Sequence, residues 1–278
     1  MEYITRAKQF RAKKRLGQNF LVDENIISAI MEHSEVGSNE TVVEIGPGLG
    51  FVTEQLVQCA KKVFAVELDS DVIGILKKIP CDNLEIINQD ILKTDISQFG
   101  ENLKVVANIP YYITSPILAH LLGEIDDLEN KNRKSIKEIY LMVQYEVAQR
   151  LVANENSPSK QYGLLSILAQ FFADVEIVEF VSSKCFFPRP KVNSAIVKLK
   201  INDKPRVQTD DYSFLRKVTK ACFATRRKNL KNSLCNFGFD KNAVEKTLKN
   251  LGIDETLRGE NLSLQQMTDL AQELKKWL

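Results

Sequence analysis

The chain has 278 residues, of which 44% are hydrophobic and 27% are charged, and its formal net charge is +2. This size and composition are typical of a globular protein with one large domain and a smaller one. No apolar run reaches the length of a membrane-spanning helix, and no apolar signal-peptide core follows the basic N-terminus. The sequence therefore excludes a helical membrane protein and predicts a cytoplasmic one without a membrane partner.

The cysteines and histidines show no pattern of a metal site. The five cysteines are widely spaced without a C-x-x-C pair, and His33 and His120 stand alone in the sequence. Zinc sites and disulfide frameworks require closely spaced or paired residues of these types. We therefore expect no metal, no disulfide framework and a reducing compartment.

Apolar runs typical of strands alternate with amphipathic runs typical of helices over the first half of the chain. Asp23 predicts the N-cap of one helix, and Pro116 predicts the first position of another. The predicted strands are residues 41–45, 63–67, 84–88, 103–108 and 139–143, followed by two strand-like runs at 175–181 and 192–201. The alternation predicts an α/β fold with a doubly wound, mainly parallel Rossmann-like sheet, which the last two runs close as an antiparallel pair.

The composition changes at Asn202-Asp203-Lys204-Pro205, beyond which every predicted element is a helix. The four predicted helices are residues 212–223, 227–237, 241–251 and 263–277. We therefore expect a first domain over residues 1–203 and a small helical domain over residues 204–278.

Three glycines fill the turn after the first strand of this sheet, in Val42-Val43-Glu44-Ile45-Gly46-Pro47-Gly48-Leu49-Gly50. Glycine lets a ligand approach the backbone closely, as in dinucleotide sites. The spacing is G-x-G-x-G, however, with Phe51 where the dinucleotide fingerprint has its third glycine, and Pro47 lacks an amide that could face a pyrophosphate. Glu44 suits a cationic ligand better than phosphates. The turn therefore favours S-adenosylmethionine, a sulfonium cation without phosphates, over NAD.

Polar residues end the next three predicted strands at the same edge of the sheet. Glu67 lies where a carboxylate could accept both ribose hydroxyls of a nucleoside, and Asp90 lies where one could accept from an adenine amine. Either acid alone is also an ordinary turn residue. Because ligands of open α/β sheets bind at this edge, the three positions in register favour a binding site that also includes Asn108.

The four residues Asn108-Ile109-Pro110-Tyr111 end the fourth strand. Asn108 offers an acceptor for an amino hydrogen, Tyr111 offers a stacking face, and Pro110 restricts the backbone between them. The same residues could form a simple strand-ending turn. In the context of the glycine turn and the two acids, they favour a site that holds an amine-bearing ring.

Basic residues are concentrated in two parts of this nearly neutral chain. One cluster lies between Met1 and Leu16, and the other lies between Leu215 and Lys231, where no acidic residue occurs. Such clusters indicate a localised anionic partner, although a solvated helix face would show the same pattern.

These motifs resemble a known family. The glycine turn, Glu67, Asp90 and the Asn108–Tyr111 tetrapeptide look like class I methyltransferases that modify exocyclic amines. Leu16-Gly17-Gln18-Asn19-Phe20-Leu21 and Phe186-Phe187-Pro188-Arg189-Pro190-Lys191-Val192-Asn193-Ser194 resemble the rRNA adenine dimethyltransferases. Phe223-Ala224-Thr225-Arg226-Arg227-Lys228-Asn229-Leu230-Lys231-Asn232-Ser233-Leu234 is similar to the branch that acts on small-subunit (16S) rRNA.

The resemblance implies a cofactor site for S-adenosylmethionine. Its residues would be Gln18, Asn19, Leu21, Gly46, Gly48, Glu67, Leu68, Asp90, Ile91 and Asn108. The target adenine would leave its stack and be clamped between Tyr111 and Phe186. Asn108 and the carbonyl of Ile109, on a turn fixed by Pro110, would accept its amino hydrogens and direct the nitrogen lone pair toward the methyl group. Phe186 and Phe187 could instead be core aromatics.

The resemblance also implies an RNA partner, namely 16S rRNA within an immature 30S subunit, and two adjacent adenosines of a 3′-terminal hairpin as targets. Arg226, Arg227, Lys228 and Lys231 would contact its phosphates. We expect a monomer with a role in ribosome biogenesis. Three alternatives stay open: a 23S rRNA methyltransferase of the macrolide-resistance type, an assembly factor in which catalysis is secondary, and a dinucleotide oxidoreductase, which the glycine spacing disfavours.

Overall fold

The computed structural model of the protein describes residues 2–225 and 227–277, so Arg226 lies outside the described residues. The strands in these ranges are β1 (Phe20–Leu21), β2 (Thr41–Ile45), β3 (Lys62–Glu67), β4 (Leu84–Asn88), β5 (Leu103–Asn108), β6 (Ile136–Gln144), β7 (Ala173–Val181), β8 (Phe186–Phe187) and β9 (Ser194–Ile201). The α-helices are α1 (Glu2–Gln9), α2 (Glu24–Ser34), α3 (Thr53–Cys59), α4 (Ser70–Leu76), α5 (Thr114–Leu122), α6 (Lys131–Ser135), α7 (Tyr145–Val152), α8 (Leu164–Phe172), α9 (Tyr212–Phe223), α10 (Leu230–Asn236), α11 (Lys241–Asn250) and α12 (Leu264–Lys275).

The central sheet has seven strands in the order β4-β3-β2-β5-β6-β9-β7. Strands β2 to β6 pair in parallel, whereas β9 runs antiparallel to β6. The middle strand β5 is buried from Leu103 to Ala107, as expected for a parallel strand covered on both faces. These findings confirm the predicted Rossmann-like α/β fold.

A second sheet consists of the short strands β1 and β8, which pair antiparallel with Phe20 opposite Phe187 and Leu21 opposite Phe186. The backbone N–H of Val22 extends the ladder by donating to the carbonyl of Cys185 at 2.8 Å. This pairing fixes the N-terminal segment beside the carboxyl edge of the sheet. Two-residue strands have no periodicity, so the sequence pattern did not predict them.

The chain divides into two compact units. The first contains the central sheet and comprises residues 1–122, 129–148 and 174–201, and the second comprises residues 123–128, 149–173 and 202–278. The predicted boundary between residues 203 and 204 lies two residues inside the last segment of the second unit, 202–278. The segment 149–173, which contains the second half of α7 and all of α8, joins that unit as well.

Helices α9 to α12 belong to the second unit and each begins at a polar N-cap. Asp211 accepts from the N–H of Phe214 at 2.8 Å, and α9 has the predicted bounds. The helix predicted to begin at residue 227 begins instead at Leu230, because Asn229 caps it. No helix in the described ranges is both long enough and apolar enough to cross a membrane.

Candidate active site

A cleft opens at the carboxyl ends of β2, β3, β4 and β5, with about 1060 Å³ of empty space including its open mouth. It is lined by residues 16–21, 44–49, 51–52, 66–68, 89–91, 108–113 and 117. The structure thus brings together the predicted cofactor residues Gln18, Asn19, Leu21, Gly46, Gly48, Glu67, Leu68, Asp90, Ile91 and Asn108. Because parallel strands end at one edge, four strand ends converge on one site.

The glycine turn after β2 forms the floor of the cleft with bare backbone. Gly46 and Gly48 have φ angles of 69° and 55°, a region that favours glycine. A Cβ atom on Gly46 would lie 3.2 Å from the backbone oxygen of Asn108, and one on Gly48 would lie 3.0 Å from the ring of Phe20. Side chains at either position would fill the space between β2, β5 and the N-terminal segment.

Glu67 at the end of β3 is 7% exposed and is held by two backbone amides. Its Oε1 accepts from the N–H of Asp69 at 2.7 Å, and its Oε2 accepts from the N–H of Gly48 at 3.2 Å. Burial raises the pKa of this carboxyl, while the two amides act in the opposite direction. The arrangement fixes a hydrogen-bond acceptor at the cleft wall.

Glu44 lies beneath the glycine turn and is 3% exposed. Its Oε2 accepts from the hydroxyl of Thr53 at 2.6 Å, and burial raises its pKa to about 8. A buried carboxyl of this kind is neutral near pH 7 and becomes charged more readily beside a cation. The cleft therefore contains a group that favours a positively charged ligand over a phosphate.

The opposite end of the cleft combines one acid with apolar surface. Asp90 Oδ1 accepts from the N–H of Leu92 at 3.0 Å, which orients the carboxylate at the end of β4. Ile91 is buried, whereas Leu68 is 55% exposed at the rim. An acceptor between apolar side chains suits a flat purine ring that carries an amino group.

Residues Asn108 to Tyr111 form the turn after β5. No hydrogen bond to the Asn108 side chain is formed within residues 2–225 and 227–277, so its amide is available to a ligand. The Tyr111 hydroxyl lies 2.7 Å from the hydroxyl of Ser194, at hydrogen-bonding distance, and burial raises the pKa of Tyr111. Pro110, with φ of −58°, precedes the ring and restricts the turn.

Gln18 differs from Asn108, because both ends of its amide are used within the protein. Its Oε1 accepts from the N–H of Lys13 at 2.8 Å, and its Nε2 donates to Asp69 Oδ2 at 2.7 Å. Lys13 Nζ lies 2.5 Å from Asp69 Oδ1 and 2.6 Å from Asp71 Oδ2. These bonds hold the N-terminal segment over the cleft.

Sequence reasoning missed Lys13 and Asp69. The Asp69 side chain is 1% exposed, and its hydrogen bonds to Lys13 and Gln18 lower its pKa, although burial acts in the opposite direction. The signal available in the sequence was a second acid two residues after Glu67, at a helix N-cap position. Its partners are more than 50 residues away, and no local pattern identifies them.

The structure does not bring Phe186 to the cleft. Its side chain is 3% exposed and packs in the core with Phe20 and Leu21, because β8 pairs with β1. With the ring buried in this structure, the expectation that Phe186 forms the second wall of an adenine clamp stays a prediction. The aromatic ring next to Tyr111 at the cleft is Tyr112, which is 62% exposed.

The predicted RNA-binding residues differ from one another. Arg227 and Lys228 are exposed in the turn before α10. Lys231 lies 2.8 Å from Glu255 Oε2 and 3.0 Å from Glu245 Oε1, which offsets its charge. Its predicted role as a phosphate ligand stays a prediction.

His, Cys, Asp and Glu side chains form no group of three suited to a metal ion in the part of the chain that the structure describes. The five cysteines are all free thiols. The groups that line the cleft are amides, carboxyls and backbone N–H and C=O groups, with aromatic rings beside them.

Comparisons with known proteins identify the family to which the chain is similar. The model of the family "Ribosomal RNA adenine dimethylase" matches residues 9–276. The "Ribosomal RNA small subunit methyltransferase A" of Clostridium botulinum (strain Loch Maree / Type A3) is 40% identical over 273 residues, which cover 96% of each chain. A dimethyladenosine transferase structure from Plasmodium falciparum is similar with a TM-score of 0.77 at 28% identity, covering 92% of this chain and 98% of that one. The structure of the 23S rRNA methyltransferase ErmE is similar with a TM-score of 0.67 at 26% identity, covering 92% and 100%.

Proposed function

The chain belongs to the ribosomal RNA adenine dimethylase family, and we propose that its cleft brings S-adenosylmethionine and an adenosine of 16S rRNA together. It is an S-adenosylmethionine-dependent enzyme that dimethylates adenosine in 16S rRNA. The observation that best supports the proposed site is that the glycine turn after β2 lies next to the turn after β5. A Cβ on Gly46 would lie 3.2 Å from the backbone oxygen of Asn108, so the glycine turn and the amide-bearing turn are direct neighbours.

The cleft residues fit a cationic nucleoside without phosphates. The bare backbone at Gly46 and Gly48 would hold its amino-acid part, Glu67 would accept from its ribose hydroxyls, and Asp90 would accept from its adenine amine. The neutral Glu44 carboxyl can ionise in response to its positive charge. When bound, S-adenosylmethionine supplies an electrophilic methyl group on a positively charged sulfur.

In our proposal the protein contributes by positioning rather than by proton abstraction. The amide oxygen of Asn108 and the carbonyl of Ile109 accept the two amino hydrogens of the target adenine, which directs the nitrogen lone pair toward the methyl group. The amino nitrogen would form its new bond to the methyl carbon as the bond from that carbon to sulfur breaks, and the proton would then leave to water, because an amide has no basic site for it. Tyr111 supplies the stacking face, whereas Phe186 lies in the core.

The finer description of the substrate is also a proposal. We propose two adjacent adenosines in a 3′-terminal hairpin, presented by an immature 30S subunit to a monomeric enzyme in the cytoplasm. The exposed Arg227 and Lys228 support an RNA partner, because basic side chains on a surface turn contact phosphates without reading bases.

Methyl transfer to unmodified ribosomal RNA tests this function. The protein is incubated with tritiated S-adenosylmethionine and either naked 16S rRNA, immature 30S particles or 23S rRNA. We expect label in 16S rRNA, which mass spectrometry identifies as dimethyladenosine. Label in 23S rRNA alone would assign the protein to the macrolide-resistance type instead, and the absence of label from all three substrates would contradict the proposed site.

A further inference from the structure

Two large aromatic side chains are exposed on the unit that contains the central sheet, outside the cleft. Tyr145 is 38% exposed and Phe180 is 49% exposed. Their ring centroids are 5.3 Å apart and their planes are inclined at 83°, so one ring meets the other edge-on. An edge-to-face pair leaves ring faces open to a further stacking partner. Neither ring lines the cleft or belongs to the buried core.

Hydrogen bonds connect Tyr145 of this pair to the turn that holds Tyr111. The backbone N–H of Tyr145 donates to the carbonyl of Asn193 at 3.0 Å. The next residue, Ser194, bonds to the Tyr111 hydroxyl through its own side chain. Tyr145 directly follows Gln144, which pairs with Ser194 across β6 and β9. Tyr145 and the proposed adenine-stacking ring are thus linked through β6 and β9, and Phe180 lies on β7, the next strand of the same sheet.

The segment beside the pair is basic. No acidic residue occurs from Phe180 to Ile201 in the sequence. Lys184, Arg189 and Lys191 are exposed, and Arg189 Nε donates to the hydroxyl of Ser183 at 3.0 Å. Ser183 in turn donates its backbone N–H to the Asn193 side chain at 3.0 Å, so Arg189 belongs to the same hydrogen-bonded network.

Three acids lie within four residues of the pair in the sequence, and one of them, Glu176, is exposed on β7. Glu179 Oε2 lies 3.7 Å from His33 Nε2, and Glu146 is exposed at the start of α7. These negative charges are offset by three exposed basic side chains in the segment from Lys184 to Lys191, which accompany the two exposed rings. Aromatic rings next to basic side chains are typical of surfaces that bind single-stranded nucleic acid.

We propose that Tyr145 and Phe180 form a stacking platform for an unpaired base next to the adenosine that is methylated, with Arg189 and Lys191 contacting the adjoining phosphates. An adenosine that enters the cleft leaves its stack, and its neighbour in the strand is then without a stacking partner. The rings of Tyr145 and Phe180 then take the place of the missing stacking partner, and they lie on the same sheet as the site for the target adenosine. The inference rests on the proposed function, because the RNA substrate supplies the unpaired base.

Steady-state kinetics of substituted proteins test the platform. Phe180→Leu keeps an apolar side chain but removes the aromatic face, and Tyr145→Ala/Phe180→Ala removes both rings. With naked 16S rRNA as substrate, we expect each substitution to raise the KM for RNA, and the double substitution to raise it about tenfold. The dissociation constant for S-adenosylmethionine, measured by calorimetry, is expected to stay unchanged and reports that the sheet unit is folded. Phe180→Tyr, which restores an aromatic face, is expected to bring the KM back toward that of the original protein.

Other outcomes would overturn the platform. If the double substitution or Phe180→Leu has the same KM for RNA as the original protein, no base stacks on the Tyr145 and Phe180 rings. A rise in KM with 30S particles but not with naked 16S rRNA would assign the pair to a ribosomal protein. Failure of the proposed function gives a different result, because the original protein would then transfer no methyl group to 16S rRNA at all.

Discussion

The side-chain hydroxyls of Tyr111 and Ser194 lie 2.7 Å apart although 83 residues separate them in the chain. Ser194 is fully buried at the first position of β9 and pairs with Gln144 of β6. Strand β9 lies beside β6, and β6 lies beside β5, after which the turn with Tyr111 begins. The contact with Ser194 therefore holds the Tyr111 ring against the sheet as well as in its own turn. We infer that Ser194 sets the plane in which the ring stacks on a base.

Removing either hydroxyl is therefore expected to affect the same step. Ser194→Ala and Tyr111→Phe should each lower kcat/KM for RNA about fivefold, the value of one neutral hydrogen bond of about 1 kcal/mol. The double substitution should lower it no further than one substitution alone, which a double-mutant cycle measures. Ser233→Ala is the matched control, since Ser233 is a buried serine that donates to the carbonyl of Ala221 in the helical unit. Additive losses for Ser194 and Tyr111 would contradict the inference.

The amide of Asn108 is expected to be essential for methyl transfer, whereas cofactor binding should largely survive its removal. Asn108→Ala should lower kcat by about 10²-fold or more, since it removes a preorganised partner of the reacting amine. Single-turnover methylation and calorimetric binding of S-adenosylmethionine measure the two effects separately. Asn250→Ala changes an exposed asparagine of α11 and serves as the control. Turnover at the original rate in Asn108→Ala would show that another group positions the amine.

Sequence patterns predicted the sheet well because its strands are buried and bounded by polar or glycine turns. Strands β2, β4 and β5 have the predicted bounds, and the residues that follow them line the cleft as expected. Helix α8, LLSILAQFF, was not predicted, because seven of its nine residues are apolar and so short an apolar run is equally typical of a buried strand.

Contacts between residues that are far apart in the sequence could not be predicted in the same way. Phe186 matches the motif expected for a stacking wall, but its ring packs in the core because β8 pairs with β1. Lys231 lies in a basic stretch, but Glu245 and Glu255 come from elsewhere in the helical unit to pair with it. Such contacts depend on tertiary structure, and periodicity and local motifs do not encode them.

The buried carboxyl of Glu44 is expected to make stability depend on pH. Burial raises its pKa from the ordinary value of 4.5 to about 8, so the folded protein holds a proton that the unfolded chain releases within this interval. The stabilising contribution is complete below pH 4.5 and is lost as the pH rises toward 8, at up to about 1.4 kcal/mol per pH unit. The free energy of unfolding from urea titrations should therefore decrease between pH 6 and pH 8.

Glu44→Gln is the control for this dependence, because a glutamine can bond to Thr53 but cannot ionise. Its free energy of unfolding should decrease less steeply over the same pH range, with the remaining slope including Glu67, whose pKa is also raised. Binding of the cationic S-adenosylmethionine should release a proton from the original protein near pH 7 and none from this position in Glu44→Gln. Equal slopes for the two proteins would show that Glu44 is ionised in the folded state.

The ion pairs of Lys13 are expected to retain the cofactor rather than to contact it. Lys13 and Gln18 both bond to the buried Asp69, so Lys13→Ala should loosen the N-terminal segment and accelerate S-adenosylmethionine dissociation severalfold. Stopped-flow displacement measures this rate. Lys8→Ala changes an exposed lysine of α1 and should leave the rate unchanged. A dissociation rate in Lys13→Ala equal to that in Lys8→Ala would show that the segment is held without this contact.

The basic residues before and at the start of α10 are expected to fall into two groups, those that bind RNA and those that form structural ion pairs. Arg227→Ala/Lys228→Ala should weaken RNA binding and reduce the slope of log K against log salt by about one for each phosphate that the protein no longer neutralises. Lys231→Ala should leave that slope unchanged, since Glu245 and Glu255 already neutralise its charge, and should instead lower the midpoint of thermal unfolding. Filter-binding titrations at several salt concentrations measure the slopes. An equal reduction in Lys231→Ala would mean that this lysine exchanges its carboxylate partners for phosphate when RNA binds.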